Sequence, residues 1–554
     1  MDINVRVAGE AGQGVLTTGN LLVGALAGLG LHVLSSQSYM SRIRGGLNWF
    51  DVRIADEELF SPRRTADLLV ALTPPARDIL AEDLTEGGML LFDGAGGDGA
   101  VGIEFSRAAQ EAAGSKLMAN TVAAGAVFAV LGYDCGRLCG YLATQFKKKG
   151  DEVVAANVTC ARRGAELAGT HAGRIPAPAP AAAPDYLCSG AEAIGLAAAA
   201  AGVKLVTAYP MTPSTPTFTY LAAVADRYGI VVEQAEDEIA AVNMICGAAY
   251  AGVPALAATS GGGFALMVEG LSLAGIMELP IVIVLGQRPG PATGLPTRTA
   301  QQDLKFALSA GHGEFVRAVF APGTIQQCYE LTRRALQTAH RFQTPVLILT
   351  DEFLQDLQKN VPPLDESPRP IDRHILEDPS PDYRRYEVTE SGVSPRAIPG
   401  GEGFVICDSD VHNDCGNITE DLQTHLTQQD KRMRKLTGLT AEALPPQRYG
   451  PDDAGTLLLA WGSSYGPCRE AVDALNAHGG SAAMLHFSQV WPINAAGARQ
   501  LFGRPRRVIS VEGNCTGQFA SVLREAGLLE ECELLPRYDG LPFTGEYIVS
   551  GVNG

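Results

Sequence analysis

Apolar runs of strand length recur along the chain, and most are followed by a stretch in which apolar residues return every three or four positions. The segment "INVRVAGEAGQGVLTTGNLLVGALAGLG" begins in alternation, turns at glycines and continues with helical periodicity. "DLLVAL" and "GGMLLFD" are further strands of the same front part, with helical segments between them. Beyond residue 185, "GAEAIGLAAAAAG" predicts a helix, "VKLVTAYP" a strand, residues 238–252 a helix, and "VPALAATS" and "LPIVIVLG" two more strands. Alternation of this kind predicts α/β layers around parallel strands, with ligands at the strands' carboxyl ends. "GTLLLAWGSSYG", "SAAMLHFSQVWP" and "RRVISVEGNCTG" predict three strands of a last α/β portion. Before it, residues 356–450 are Pro-rich and charged, and are expected to form an irregular connection with short elements.

Length turns this pattern into several domains, because single cores rarely exceed roughly 250–300 residues and the chain has 554. The Pro/Ala run "IPAPAPAAAPDY" reads as an extended linker. The expected division is a front domain 1–172, a linker 173–184, a middle domain 185–355, the connection 356–450 and a last domain 451–554. A net charge of −18, with no basic run longer than "KKK", argues against nucleic acid as a partner. No apolar run approaches the roughly 20 residues that span a bilayer, and the start has neither a basic nor an apolar leader region, so a cytoplasmic location is expected. Eleven cysteines contain no CxxC pair, which disfavours a metal or cluster site built by this chain alone.

Candidate chemistry gathers where strands end. "AYPMTPSTP" (208–216) carries Thr212, Ser214 and Thr215 on a proline-stiffened loop. Two readings fit it: rigid donors for an anion, or hydroxyls capping a helix that starts near Pro216. "GQRPGPATGLPTRTAQQD" (286–303) places Arg288 and Arg298 after a strand, for a carboxylate or phosphate or for an internal ion pair. "AGEAGQGV" (8–15) is a glycine turn before a helix; its spacing is GxxGxG, so it is either a phosphate-binding turn or simply a tight one. "GDG" at 97–99 with Asn120 lacks the paired asparagines of a thiamine diphosphate motif and reads as a loose loop. Four acids crowd "EQAEDEIAAV". Glu233, Glu236 and Asp237 read as an acidic approach to a helix, whereas Glu238 shares its helix face with Ala241, Val242 and Ile245. It either complements the helix dipole or is buried and in use.

Taken together, "YPMTPSTP", "EDEIAAVNMICGAAYAG", "TSGGGFALMVEGL" and "QRPGPATGLPTRTAQQDL", in this order, resemble the catalytic α part of the 2-oxoacid:ferredoxin oxidoreductases. The front "AGEAGQGVLTTGNLL", with "RIRGG" and "NTVAAGAV", resembles the family's γ domain. With "DSDVHNDCGNITED", "LHFSQVWPI", "VEGNCTGQFA" and "DGLPFTGE", nearly the whole chain is similar to the large, α subunit of the two-subunit type that uses 2-oxoglutarate.

The resemblance implies three α/β domains: a γ domain, a thiamine pyrimidine-binding domain and a transketolase C-terminal-like domain. It implies oxidative decarboxylation of a 2-oxoacid on thiamine diphosphate, with electrons passed to ferredoxin and the acyl group to coenzyme A. A separate β subunit would hold the diphosphate, Mg²⁺ and a [4Fe-4S] cluster, in a dimer of αβ heterodimers. Glu238 then corresponds to the glutamate that hydrogen-bonds N1′ of the aminopyrimidine, and Pro210 is implied as a cofactor contact. Thr212, Arg288 and Thr297 correspond to substrate-binding positions, and Gly9, Gly12, Gln13 and Gly14 to the coenzyme A turn. Departures are Ala11 for a third glycine, Gly262 for a proline and Ala292 for a serine; none removes a charge. The competing readings are the same chemistry on pyruvate or on branched-chain or aryl 2-oxoacids, a non-catalytic Rossmann-like binding protein, and a one-chain transketolase-type enzyme. The last would need its own diphosphate motif, and the binding protein leaves Glu238, Thr212 and Arg288 unexplained.

Overall fold

A computed structural model describes residues 1–554 except 42–44, 98 and 185. Arg42, Ile43 and Arg44 of "RIRGG", Asp98 of "GDG" and Asp185 at the expected domain boundary therefore lie outside the described residues. The chain forms two compact units. The first comprises residues 1–188, 357–363 and 544–546; the second comprises 189–356, 364–543 and 547–554.

The first unit is built on an eight-stranded mixed sheet. The alternating opening segment becomes the strand Asp2–Ala11, parallel to Ala66–Ala71 on one side and antiparallel to Gly45–Ala55 on the other. Helix Val15–Ala27 follows the glycine turn and buries Leu22 and Leu26 fully. Strand Gln358–Val361 enters this sheet beside His32–Ser38, where the Asn360 side-chain amide donates to Leu31 O and its oxygen accepts from Val33 N–H. Its sequence, QKNV, has no apolar alternation, so it is legible only from its pairing.

The second unit contains a seven-stranded and a five-stranded sheet. In the seven-stranded one, strands Leu205–Ala208, Val231–Gln234, Ala255–Ser260, Val282–Gln287, Ala318–Phe320 and Val346–Asp351 run parallel, so their carboxyl ends share one edge. This is the α/β pattern expected from alternation. The strand expected over "SAAMLHFSQVWP" breaks at Ser488: Ala482–Phe487 stays in the five-stranded sheet, while Gln489–Trp491 pairs antiparallel with Ala318–Phe320 in the other.

Residues 356–450, expected to hold only short elements, contain the 20-residue helix Leu422–Ala441. Its buried face is Gln428, Lys431, Arg432, Lys435 and Leu439, so no apolar stripe announces it. The cations converge on fully buried Glu278: Lys431 Nζ donates to Oε1 at 2.6 Å, and Lys435 Nζ faces Oε2 at 2.5 Å as an ion pair rather than a directed hydrogen bond. Burial pushes the Glu278 carboxyl up, but the charges of Lys435 and Lys431 outweigh it and hold the group well below the usual carboxylate range. Burial also pulls Lys435 down to about 8, against the pull of Glu278.

Candidate functional site

Helix Glu238–Tyr250 starts four residues beyond a strand's carboxyl end, with the Asp237 side chain accepting from Ala240 N–H at 2.8 Å. Ala241, Val242 and Ile245 are all fully buried, as their spacing with Glu238 predicts. Burying Val242 and Ile245 is worth roughly 1.5–3 kcal/mol each. Leaving a buried polar atom unsatisfied costs roughly 1–3 kcal/mol, and more for a charged group, so the apolar face offsets only part of the cost of carrying an acid inside. Two further contacts fix the helix: Thr207 Oγ1 donates to Ala241 O at 2.8 Å, and Gly270 of helix Val268–Ile276 lies so close to Val242 that a Cβ there would come within 2.5 Å. Helix Val268–Ile276 leads directly to Glu278 and its lysines.

Glu238 is 3% exposed, and its Oε1 has no hydrogen-bond partner among the described residues. Glu233 and Glu236 are exposed and Asp237 caps the helix, so the four acids separate into one buried and three peripheral groups. The "TSGGG" segment passes over this carboxylate: a Cβ on Gly263 would come within 2.4 Å of Oε1. Gly262 has open space by comparison, its nearest neighbour being Ala292 O at 4.0 Å, so packing does not demand glycine there.

Thr212 and Arg288, 76 residues apart, meet directly: Arg288 Nη1 donates to Thr212 O at 2.8 Å. Both are partly exposed, and Pro210 lies in the same half-buried loop. Ser214 precedes helix Thr215–Tyr228 without capping it; its hydroxyl donates to Thr259 O at 2.5 Å instead. The loop thus braces the end of strand Ala255–Ser260. Thr297 is buried on the segment after Arg288. That segment is stitched to the five-stranded portion by Gln301, whose Nε2 donates to Trp461 O and whose Oε1 accepts from Gly513 N–H, each at 2.8 Å.

Asp303 closes the segment, and no sequence signal set it apart from an ordinary residue before a helix. Its Oδ2 is buried without a hydrogen-bond partner, and burial raises the carboxyl to about 6, the Arg288 charge opposing the rise. Burial in turn lowers Arg288, with Asp303 opposing. The Glu238 carboxylate, with its unsatisfied oxygen, suits a ring nitrogen that shares a proton, and the Arg288 guanidinium, one residue beyond strand Val282–Gln287, suits a substrate anion.

In the first unit, Gly12 and Gly14 have φ of +91° and +81°, a region only glycine enters freely. Gln13 ties the turn, its Oε1 accepting from Glu10 N–H at 2.9 Å, and it lies 3.0 Å from where a Cβ on Gly9 would sit. Helix Val15–Ala27 has no side-chain cap, which leaves its first N–H groups for an anion. The Asn120 side chain fills the space beside Gly14, where a Cβ would come within 2.2 Å of Nδ2. Among the described residues no cluster of His, Cys, Asp and Glu has the make-up of a metal site, and no helix is long and apolar enough to cross a membrane.

Residues 196–431 match the family model "pyruvate flavodoxin/ferredoxin oxidoreductase, thiamine diP-bdg", and residues 4–167 match "pyruvate ferredoxin/flavodoxin oxidoreductase". The chain is 28% identical to a 2-oxoacid:ferredoxin oxidoreductase subunit alpha of Aeropyrum pernix, over 98% of this chain and 96% of the other. It is also 28% identical to the 2-oxoglutarate oxidoreductase subunit KorA of Mycobacterium tuberculosis, over 99% and 90%. Among solved structures, the 2-oxoglutarate:ferredoxin oxidoreductase from Magnetococcus marinus, with 2-oxoglutarate, coenzyme A and succinyl-CoA bound, superposes with a TM-score of 0.92 at 31% identity, covering 100% of this chain and 99% of that one.

Proposed function

The chain belongs to the 2-oxoacid:ferredoxin oxidoreductases, as a thiamine diphosphate-binding alpha subunit, and from that premise we propose that its substrate is 2-oxoglutarate, converted to succinyl-CoA and CO₂ as ferredoxin is reduced. The observation that carries the catalytic part is the Glu238 carboxylate, buried with Oε1 unsatisfied beside Gly263. It is the group that would hold N1′ of the aminopyrimidine and share its proton; Pro210 would line the ring's pocket. When bound, thiamine diphosphate supplies the carbon nucleophile and the electron sink for decarboxylation. Arg288, braced by Thr212, would receive the substrate's carboxylate, with Thr297 on the wall of the same pocket.

In the first unit, the turn of Gly9, Gly12, Gln13 and Gly14 would receive coenzyme A phosphate through its backbone N–H groups. We assign the diphosphate, Mg²⁺ and a [4Fe-4S] cluster to a β subunit, in a dimer of αβ heterodimers that works in the cytoplasm. The names of the KorA relatives and the ligands of the Magnetococcus marinus enzyme support 2-oxoglutarate over other acids. Two experiments on the complex with the β subunit test the proposal. Glu238→Gln should abolish 2-oxoacid-dependent viologen reduction while the complex still assembles; full activity would remove Glu238 from the chemistry. Initial rates over a panel of 2-oxoacids should favour 2-oxoglutarate, and a preference for pyruvate or a branched-chain acid would replace it.

A further inference from the structure

Four buried cations gather at helix Leu422–Ala441: Lys431, Lys435, Arg385 and Arg432 are each at most 5% exposed. The Glu278 carboxylate is paired with the two lysines. The arginines are held by neutral groups: Arg385 Nη2 donates to the Glu278 backbone O at 3.2 Å, and Arg432 Nη2 donates to Gln429 Oε1 at 2.8 Å. Among the described residues neither guanidinium meets a carboxylate, and Nη1 of each is buried without a hydrogen-bond partner. Buried charge without a counter-charge is costly, so the surplus calls for an anion from outside the chain.

Arg432 also lines a cavity of about 490 Å³ within the second unit, and none of the Glu238 and Arg288 site residues borders it. Small-molecule sites commonly run from roughly 300 to 1,000 Å³. Its walls are fixed in place. Gly275 and Gly311 make room for the Phe315 ring, which a Cβ on either would approach within 2.6 Å and 3.0 Å. Ser272 Oγ accepts from His312 N–H, and Gln429 Nε2 donates to Glu314 O, each at 2.8 Å, which ties the turn 312–315 to both flanking helices. Leu273, Ile276 and Val411 add apolar surface, while Glu269 and Glu314, with His312 and His425, are the exposed part of the lining. An apolar interior with one guanidinium fits a carboxylate on a hydrocarbon body. The two exposed acids oppose a second negative charge, which counts against dicarboxylates and phosphate.

We propose that this cavity is a binding site for a small organic monocarboxylate with an apolar body, its carboxylate paired with Arg432. The site does not depend on the substrate assigned to Arg288. Isothermal titration of 3-methylbutanoate into the assembled complex with the β subunit, without 2-oxoacid, reads it. Saturable binding should persist within about twofold in Arg288→Ala and weaken at least about tenfold in Arg432→Gln. Ile276→Trp fills the cavity and leaves the cation in place, so it should abolish binding, and it carries the test where Arg432→Gln does not assemble. Succinate and inorganic phosphate should bind at least about tenfold more weakly than 3-methylbutanoate, and Glu269→Gln with Glu314→Gln should narrow that gap. No saturable binding to the parent complex overturns the proposal, as does binding that survives Ile276→Trp. Binding lost in Arg288→Ala but intact in Arg432→Gln places the acid in the substrate position and refutes the second site. Tighter binding of phosphate or succinate than of 3-methylbutanoate refutes the ligand class.

Discussion

The carboxylate of Glu238 occupies space that any side chain at Gly263 would need: a Cβ there would sit 2.4 Å from Oε1 and 2.2 Å from Thr259 Oγ1. Gly263→Ala should therefore push the acid out of register without touching its charge. The expected result is a fall in the decarboxylation rate of about 10²-fold or more, the scale on which positioned acid–base groups act. The reconstituted complex, assayed for viologen reduction at saturating thiamine diphosphate, checks it.

The Glu278 ion cluster should behave as an all-or-none stabiliser. Lys435→Met leaves a fully buried carboxylate short of one cation, and removing one partner of a buried pair costs roughly 3–5 kcal/mol. Replacing Glu278, Lys431 and Lys435 together with apolar residues of similar size should cost much less. Denaturant melts of the three proteins distinguish these outcomes.

At the glycine turn, Gly14→Ala forces a methyl onto the Asn120 amide at a φ of +81°. The apparent KM for coenzyme A should rise about tenfold or more while the KM for the 2-oxoacid stays within about twofold, the split expected when only one ligand's site is disturbed. Steady-state titration of each substrate at saturation of the other measures it.

What was legible in the chain depended on whether a residue's environment came from its neighbours in sequence. Ala241, Val242 and Ile245 mark the face on which Glu238 lies, so its burial could be read from spacing. Thr212 and Arg288 follow apolar runs that could only be strands, which placed both at carboxyl ends. Helix Leu422–Ala441 escaped because its inward face is basic, and those cations are buried only by virtue of a carboxylate far earlier in the chain. Asp303 escaped because an aspartate before a helix looks like a cap, whereas its side chain makes no cap and lies against Gly261, far from it in sequence. Arg42, Ile43 and Arg44 of the "RIRGG" motif lie outside the described residues, so that part of the resemblance rests on the sequence alone.

The break at Ser488 makes the last hundred residues impossible to detach cleanly. Ser488 O accepts from Ala321 N–H at 2.7 Å, and the residues on either side of it serve two different sheets. A truncation before residue 451 would uncover the edge strand Ala318–Phe320, leaving an open row of backbone donors and acceptors of the kind that recruits foreign strands. The middle and final portions complete each other's sheets, so removing either alone would leave one of them unfinished.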